Sequence, residues 1–226
     1  MMSPVARLKA VLIRLQDHYG QPAPEPPRDP FQLILLENVA YLATEERRRA
    51  AFGELVHTVG TAPEAILEAS TAQLRAVTAR GILSDTFVDK LRECATIAVH
   101  DFDGDLMAIL DRPLAQAKKA LRRFPGIGEP GAEKILLFTR RHPFLAPESN
   151  GLRVLTRIGL VPEHSSYAKT YAAARELGTA SGLSIGDLVI AHLLLKRHGQ
   201  ELCRRNEPDC PACPVRSGCA FARAAS

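Results

Sequence analysis

The chain has 226 residues, 46% of them hydrophobic, and a formal net charge of +4 from 29 Lys and Arg against 25 Asp and Glu. That apolar share excludes a chain too polar to fold, and the length allows one large domain or two small ones with real cores. No apolar run is long enough to span a bilayer, and so small a basic surplus names no partner by itself.

Residues 4–19 place Val5, Leu8, Val11, Leu12 and Leu15 on one helical stripe. Charges interrupt this apolar stretch and no small-residue cleavage site follows. It therefore reads as an amphipathic helix and not as a signal sequence, and a cytoplasmic, reducing location is expected. The proline-rich stretch QPAPEPPRDP, residues 21–30, predicts an extended connector. Asp29 is a good N-cap with Pro30 at the first helical position. The helix that follows, FQLILLENVAYLA, is apolar nearly all round and should be buried. Short helices are predicted over 45–59, 63–69, 71–79, 84–99, 104–110 and 113–123. Thr71 and Asp85 are expected as caps, with Gly60, Gly81 and Gly104 as breaks. Beyond a glycine turn and the loop RHPFLAPESN, helices are predicted over 150–158, 165–178 and 184–198. Alternating strand-like runs are nearly absent, so the fold class is all-α.

The turn Phe124-Pro125-Gly126-Ile127-Gly128 separates two of these helices. Paired glycines permit backbone conformations closed to other residues and let another backbone approach. The amides of the turn and of the next helix start can together hold a phosphate, with Ile127 plugging the turn into the core. An ordinary helix–turn–helix corner is the plain alternative. No strand precedes the turn, which disfavours dinucleotide binding. Basic residues flank it: Lys118, Lys119, Arg122 and Arg123 before, Arg140 and Arg141 after. Each cluster alone reads as a solvated helix face. Together with Lys196, Arg197, Arg204 and Arg205 they point to a polyanion partner.

The last motif is Cys203, Cys210, Cys213 and Cys219, spaced C-x6-C-x2-C-x5-C, with Cys94 the only other cysteine. Thiols this close, in a chain without a signal sequence, hold a metal centre more readily than they form disulfides. Four thiolates suit a tetrahedral zinc or an iron–sulfur cubane, and spacing alone leaves both open. Cys94 reads as a buried small hydrophobe. His192 and His198 read as helix-surface or cluster-adjacent residues.

A hairpin turn of the form LPGxG, with Phe124 in the leucine's place, followed by this cysteine pattern, resembles the helix–hairpin–helix DNA glycosylases, and among them the endonuclease III and adenine DNA glycosylase branch. The fragments DPFQLILLE and HLLLKRHGQELC add to the likeness. The resemblance implies two helical lobes with DNA in the cleft between them. One would be a six-helix barrel carrying the hairpin, over 24–141. The other, a cluster lobe, would comprise 1–23 and 142–226, with its loop at 203–219. It further implies a [4Fe-4S] cluster on the four cysteines, with zinc as the alternative. The partner would be double-stranded DNA containing a damaged or mispaired base, bound by a monomer.

Such enzymes flip a base from the duplex and break its bond to the sugar. Aligning LRVLTR, residues 152–157, with the family's pattern puts Glu148 at the carboxylate that stabilises the sugar cation, and Asn150 at an asparagine of adenine-specific members. The family residue is an aspartate. A glutamate moves the charge by roughly 1 Å, a shift that can cost about 10²-fold in rate. Glu148 is equally placed to cap the helix it precedes. Glu37, flanked by Leu33, Ile34, Leu36 and Val39, matches the proton-donating glutamate of adenine-excising members. Burial among those side chains should keep it neutral; bonding to a backbone carbonyl or to solvent is the plain alternative. Bifunctional members carry a nucleophilic lysine where this chain has Pro130, which removes the usual lyase chemistry. Lys134, one helical turn on, could replace it but reads first as a surface lysine. Where endonuclease III has a gap-filling glutamine, this chain has Tyr41-Leu42-Ala43. Leu42 or Tyr41 could wedge into DNA, though core packing is the simpler expectation. The expected activity is therefore hydrolytic removal of a base by Glu148, Glu37 and Asn150, with Gly126, Ile127, Gly128, Arg204 and Arg205 on DNA. A catalytically weak DNA-binding protein and a lyase acting through Lys134 are the alternatives.

Overall fold

The computed structural model describes residues 2–22, 29–40 and 42–224, and every regular element among them is helical. The prolines of the predicted connector at residues 23–28, and Tyr41, lie outside the described residues. The first helix, α1 (Pro4–Tyr19), starts as the sequence dictates: the Ser3 side chain accepts from the Ala6 amide, and Pro4 follows it. The chain divides into two compact units, Met1–Glu25 with Leu136–Ser226, and Pro26–Ile135.

The unit Pro26–Ile135 begins with α2 (Pro30–Asn38), capped by the Asp29 side chain on the Gln32 amide. It continues through α3 (Glu45–Thr58), α4 (Pro63–Glu68), α5 (Thr71–Thr78), α6 (Ser84–Phe102), α7 (Met107–Leu110) and α8 (Leu114–Leu121). The start of α9 (Glu129–Phe138) completes it. The long α6 is the hub, touching α2, α4 and α5. Its buried face, Phe87, Val88, Leu91, Cys94, Ala95, Ala98 and Phe102, follows the helical repeat. Each large side chain sunk there contributes about 1.5–3 kcal/mol.

Three local expectations need correction. α2 ends at Asn38 instead of running on through Ala43, and Leu42 beyond it is 71% exposed with φ of 51°. Leu42 is thus no core residue. Ser70, not Thr71, caps α5, because only Ser70 forms the reciprocal capping box with Gln73. α6 is entered through Leu83 in a left-handed conformation (φ 56°), and Asp85 lies inside the helix, paired with Arg75 at 2.6 Å.

The other unit contains α1, α10 (Ser149–Arg157), α11 (Tyr167–Ser181), α12 (Ile185–Glu201), a 3-10 turn over Arg216–Gly218 and α13 (Ala220–Ala224). α1 lays Leu8 and Leu15, both fully buried, against α11 and α12. α12 and α10 form the tightest pair. Gly199 permits it: a Cβ there would stand 2.7 Å from both Cβ and the carbonyl oxygen of Asn150.

Candidate functional site

In the unit Pro26–Ile135 the glycine turn joins α8 to α9. Phe124, 2% exposed, stacks on Phe102 with ring centroids 5.9 Å apart. Ile127 is buried, as expected, and its amide closes the turn on the Phe124 carbonyl at 3.1 Å. Gly126 takes φ of 76°, which only glycine adopts cheaply. The exposed Gly126 and Gly128 lead straight into the first turn of α9, whose opening amides have no acceptor within the helix. This is the backbone arrangement that favours an anion. Pro130 occupies the second position of α9, where a missing amide hydrogen costs nothing.

Asn38, 1% exposed, ties the turn to α2. Its side-chain amide donates to the Ile34 carbonyl at 3.0 Å and to the Pro125 carbonyl at 2.9 Å. A Cβ on Gly126 would meet its Oδ1 at 2.9 Å, so the carboxamide and the glycine fit only each other. Lys118 braces the turn from the α8 side, pairing with Glu129 and, at 2.7 Å, with the fully buried Glu133. It is not the solvated surface lysine that its basic run suggests.

Glu37 and Lys134 are where the sequence reading changes most. Their side chains form an ion pair at 2.6 Å and are 24% and 16% exposed. Glu37 is neither solvent-facing nor sealed among leucines, and Lys134 is not a free surface lysine. The flanking apolar residues suggested a neutral acid because the lysine, far along the chain, cannot be seen from local sequence.

In the other unit, Glu148 is the N-cap of α10. Oε1 accepts from the Gly151 amide at 2.8 Å and Oε2 from the Asn150 side-chain amide at 2.8 Å. A half-buried carboxylate is thereby fixed at a helix N-terminus, where the peptide dipoles favour negative charge. The chain of contacts continues. Asn150 Oδ1 accepts from Arg153 Nη2 at 2.9 Å, and Arg153 also donates to the carbonyls of Gly199 (2.7 Å) and Cys203 (3.1 Å). Partial burial lowers the Arg153 pKa from its ordinary value. Arg153 was missed in the sequence reading, although its place three residues after Asn150 on one helix was a usable signal. Tyr167, half exposed, is also near: burial and the Glu148 charge both push its hydroxyl up.

Cys203, Cys210, Cys213 and Cys219 are free thiols that line one small cavity, of about 20 Å³, with Arg157, His198 and Val215. Among the described residues no three His, Cys, Asp or Glu side chains gather around a single ion position. Arg157 holds the loop by its backbone, donating to the carbonyls of Arg204 at 2.6 Å and Arg205 at 2.9 Å, with Cys203 Sγ 3.7 Å away. Arg204 is itself a brace, donating to the Glu201 and Glu207 carbonyls at 2.9 Å, while Arg205 is exposed. His198 is 1% exposed, with Tyr19 Oη 3.0 Å from Nδ1 and Cys213 Sγ 3.6 Å from Nε2. Burial, then His18, pushes its pKa down to about 4. It is cluster-adjacent, as expected. His192 is not on the surface: it is 3% exposed and 2.6 Å from the Ala146 carbonyl, which fixes the loop leading to Glu148. Cys94 is buried, and burial pushes its thiol up to about 12, which leaves it inert.

No model of a known protein family matches the chain. Endonuclease III of Sulfolobus acidocaldarius is 26% identical over 198 residues, 86% of this chain and 83% of that protein. Endonuclease III of Rickettsia conorii is 31% identical over 106 residues, 46% of each, so that match spans about half its length. Two solved structures share the fold. A trapped covalent endonuclease III–DNA intermediate gives a TM-score of 0.78 at 15% identity, covering 100% of this chain and 99% of that one. A thermostable thymine-DNA glycosylase gives 0.76 at 16%, covering 98% and 97%. The chain therefore shares the all-helical fold of these two structures and is similar in sequence to endonuclease III.

Proposed function

We propose that the protein is a base-excision DNA glycosylase that hydrolyses the bond between a damaged or mispaired base and its sugar, without a following strand-cutting step. The observation that carries this reading is the Glu148 carboxylate, held at the N-terminus of α10 by two hydrogen bonds of 2.8 Å. A fixed negative charge there stabilises a developing sugar cation and aligns a water for attack. Asn150 sets the orientation of one carboxylate oxygen, and Arg153 sets Asn150. The amides around Gly126, Ile127 and Gly128 would take a DNA phosphate, with Arg205 on the cysteine loop adding positive charge and Arg204 shaping the loop. The exposed left-handed Leu42, and Ile82 and Leu83 at 51% and 59% exposure, supply apolar side chains suited to entering a base stack.

Glu37 is the proposed proton source for the leaving base. Its carboxyl group lies 2.6 Å from the Lys134 amine, within reach for proton exchange. The same contact argues against a lyase. Schiff-base attack needs an amine free to reach the sugar carbon, and the Lys134 amine is held on Glu37.

The donor set fits a [4Fe-4S] cluster. Four cysteine thiols sharing one cavity are the donor set of an iron–sulfur cubane, and of a tetrahedral zinc as well. Cys203, Cys210, Cys213 and Cys219 would hold the cluster, whose contribution when bound is to fold the loop around its thiolates.

The test is a panel of duplexes bearing single damaged or mispaired bases, incubated with the metal-loaded protein. Breaks that appear only after hot alkali are expected, together with loss of at least about 10²-fold in rate for Glu148→Gln. Breaks without alkali, trapped by borohydride, would mean lyase action. Duplex binding with no product on any substrate would leave a DNA-binding protein in place of the enzyme.

A further inference from the structure

On the unit that holds the cysteine loop, a groove of about 440 Å³ runs between α1 and the segment from Val215 to Arg223. Its accessible apolar lining is Met2, Ala10 and Val11, with the buried Ile158 and Val215 beneath, and its walls carry Arg7, Arg14 and Arg223. No carboxylate lines it, and among the described residues none pairs with these arginines. An adjoining depression adds Arg216 beside Arg223. The walls are already fixed. Arg7 donates to the carbonyls of Ile158 (2.8 Å) and Gly159 (3.3 Å), and Arg14 to the Ser217 hydroxyl at 2.9 Å. A groove that needs no ordering on binding loses less affinity to entropy.

The charge here is not explained by the cysteine cavity. That cavity has its own arginines, Arg157 and Arg216, and none of Arg7, Arg14 and Arg223 lines it. Nor is the apolar lining explained by nucleic acid, whose backbone offers phosphates and no apolar side chain to bury. Arginines without a carboxylate partner beside an apolar lining match a short chain segment that is acidic and carries an apolar anchor.

We infer that this groove docks an acidic peptide segment of a partner protein, with one large apolar side chain seated against Met2, Ala10 and Val11. The inference is independent of the proposed base-excision chemistry.

The probe is a fluorescein-labelled dodecapeptide with a central Phe between Asp pairs, titrated by fluorescence anisotropy onto the full, metal-loaded chain. Saturable binding is expected. It should weaken at least tenfold when the probe's Phe becomes Ser, and at least tenfold in the Arg14→Glu, Arg223→Glu double variant. That variant should keep wild-type visible absorbance and duplex binding, which guards against misfolding. Saturating unlabelled duplex should leave the peptide bound. Absence of saturable binding would overturn the inference. So would indifference to the Phe, which would mean diffuse charge attraction, or displacement by duplex, which would assign the groove to the nucleic-acid surface.

Discussion

The hairpin turn and the cysteine loop solve the same problem with different means. Each must hold irregular backbone in one shape. The hairpin does so with its own side chains: Phe124 and Ile127 are buried, and the Asn38 amide grips the Pro125 carbonyl. The cysteine loop has little apolar material of this kind. It is held from outside, by Arg153 on the Cys203 carbonyl and Arg157 on those of Arg204 and Arg205. The first region is stable by packing, the second by arginine braces and, under the proposed function, by ligation of its four thiols. The difference teaches that the Glu148 carboxylate, proposed as catalytic and linked through Asn150 and Arg153 to the loop, depends on the less self-sufficient of the two.

The sharpest way to break this contrast is to remove a ligand. Cys213→Ser, or stripping the metal with a chelator, should unfold the loop and abolish base release. Hydrogen exchange should rise over residues 203–219 and in α10, while peptides spanning the hairpin stay protected. Uniform loss of protection would show that the two regions do not differ as described. A smaller effect is expected from Arg153→Met, which leaves the carbonyls of Gly199 and Cys203 unpaired at about 1–3 kcal/mol each. Turnover should fall about 10–100-fold with duplex affinity nearly unchanged, and Arg153→Lys should not rescue it because lysine lacks the fork. The smallest effect belongs to Gly126→Ala. Its left-handed φ costs about 1–2 kcal/mol with a side chain present, and the new methyl presses on Asn38. Duplex affinity should drop about tenfold, with single-turnover chemistry at saturation preserved.

The elements legible in the sequence were those coded locally. Asp29-Pro30 announced a helix start, and the PGIG turn announced its glycine geometry and buried isoleucine. What stayed hidden was made by tertiary contact. Lys134 meets Glu37 across almost a hundred residues of sequence, so the apolar neighbours of Glu37 gave a misleading picture of its surroundings. Asn38 carries no local signal, because its partner, the Pro125 carbonyl, is backbone that any residue could offer. Leu42 and Leu83 carry strongly hydrophobic side chains in conformations that leucine disfavours, and no local pattern codes for that.

Pro130 carries one more implication. It stands in the opening turn of α9, where the helix asks nothing of the residue's amide. Replacing it with an amine-bearing side chain would therefore leave the main-chain path intact. Under the proposed function, Pro130→Lys therefore asks whether an amine at this one position adds strand cleavage to base release without any change of fold.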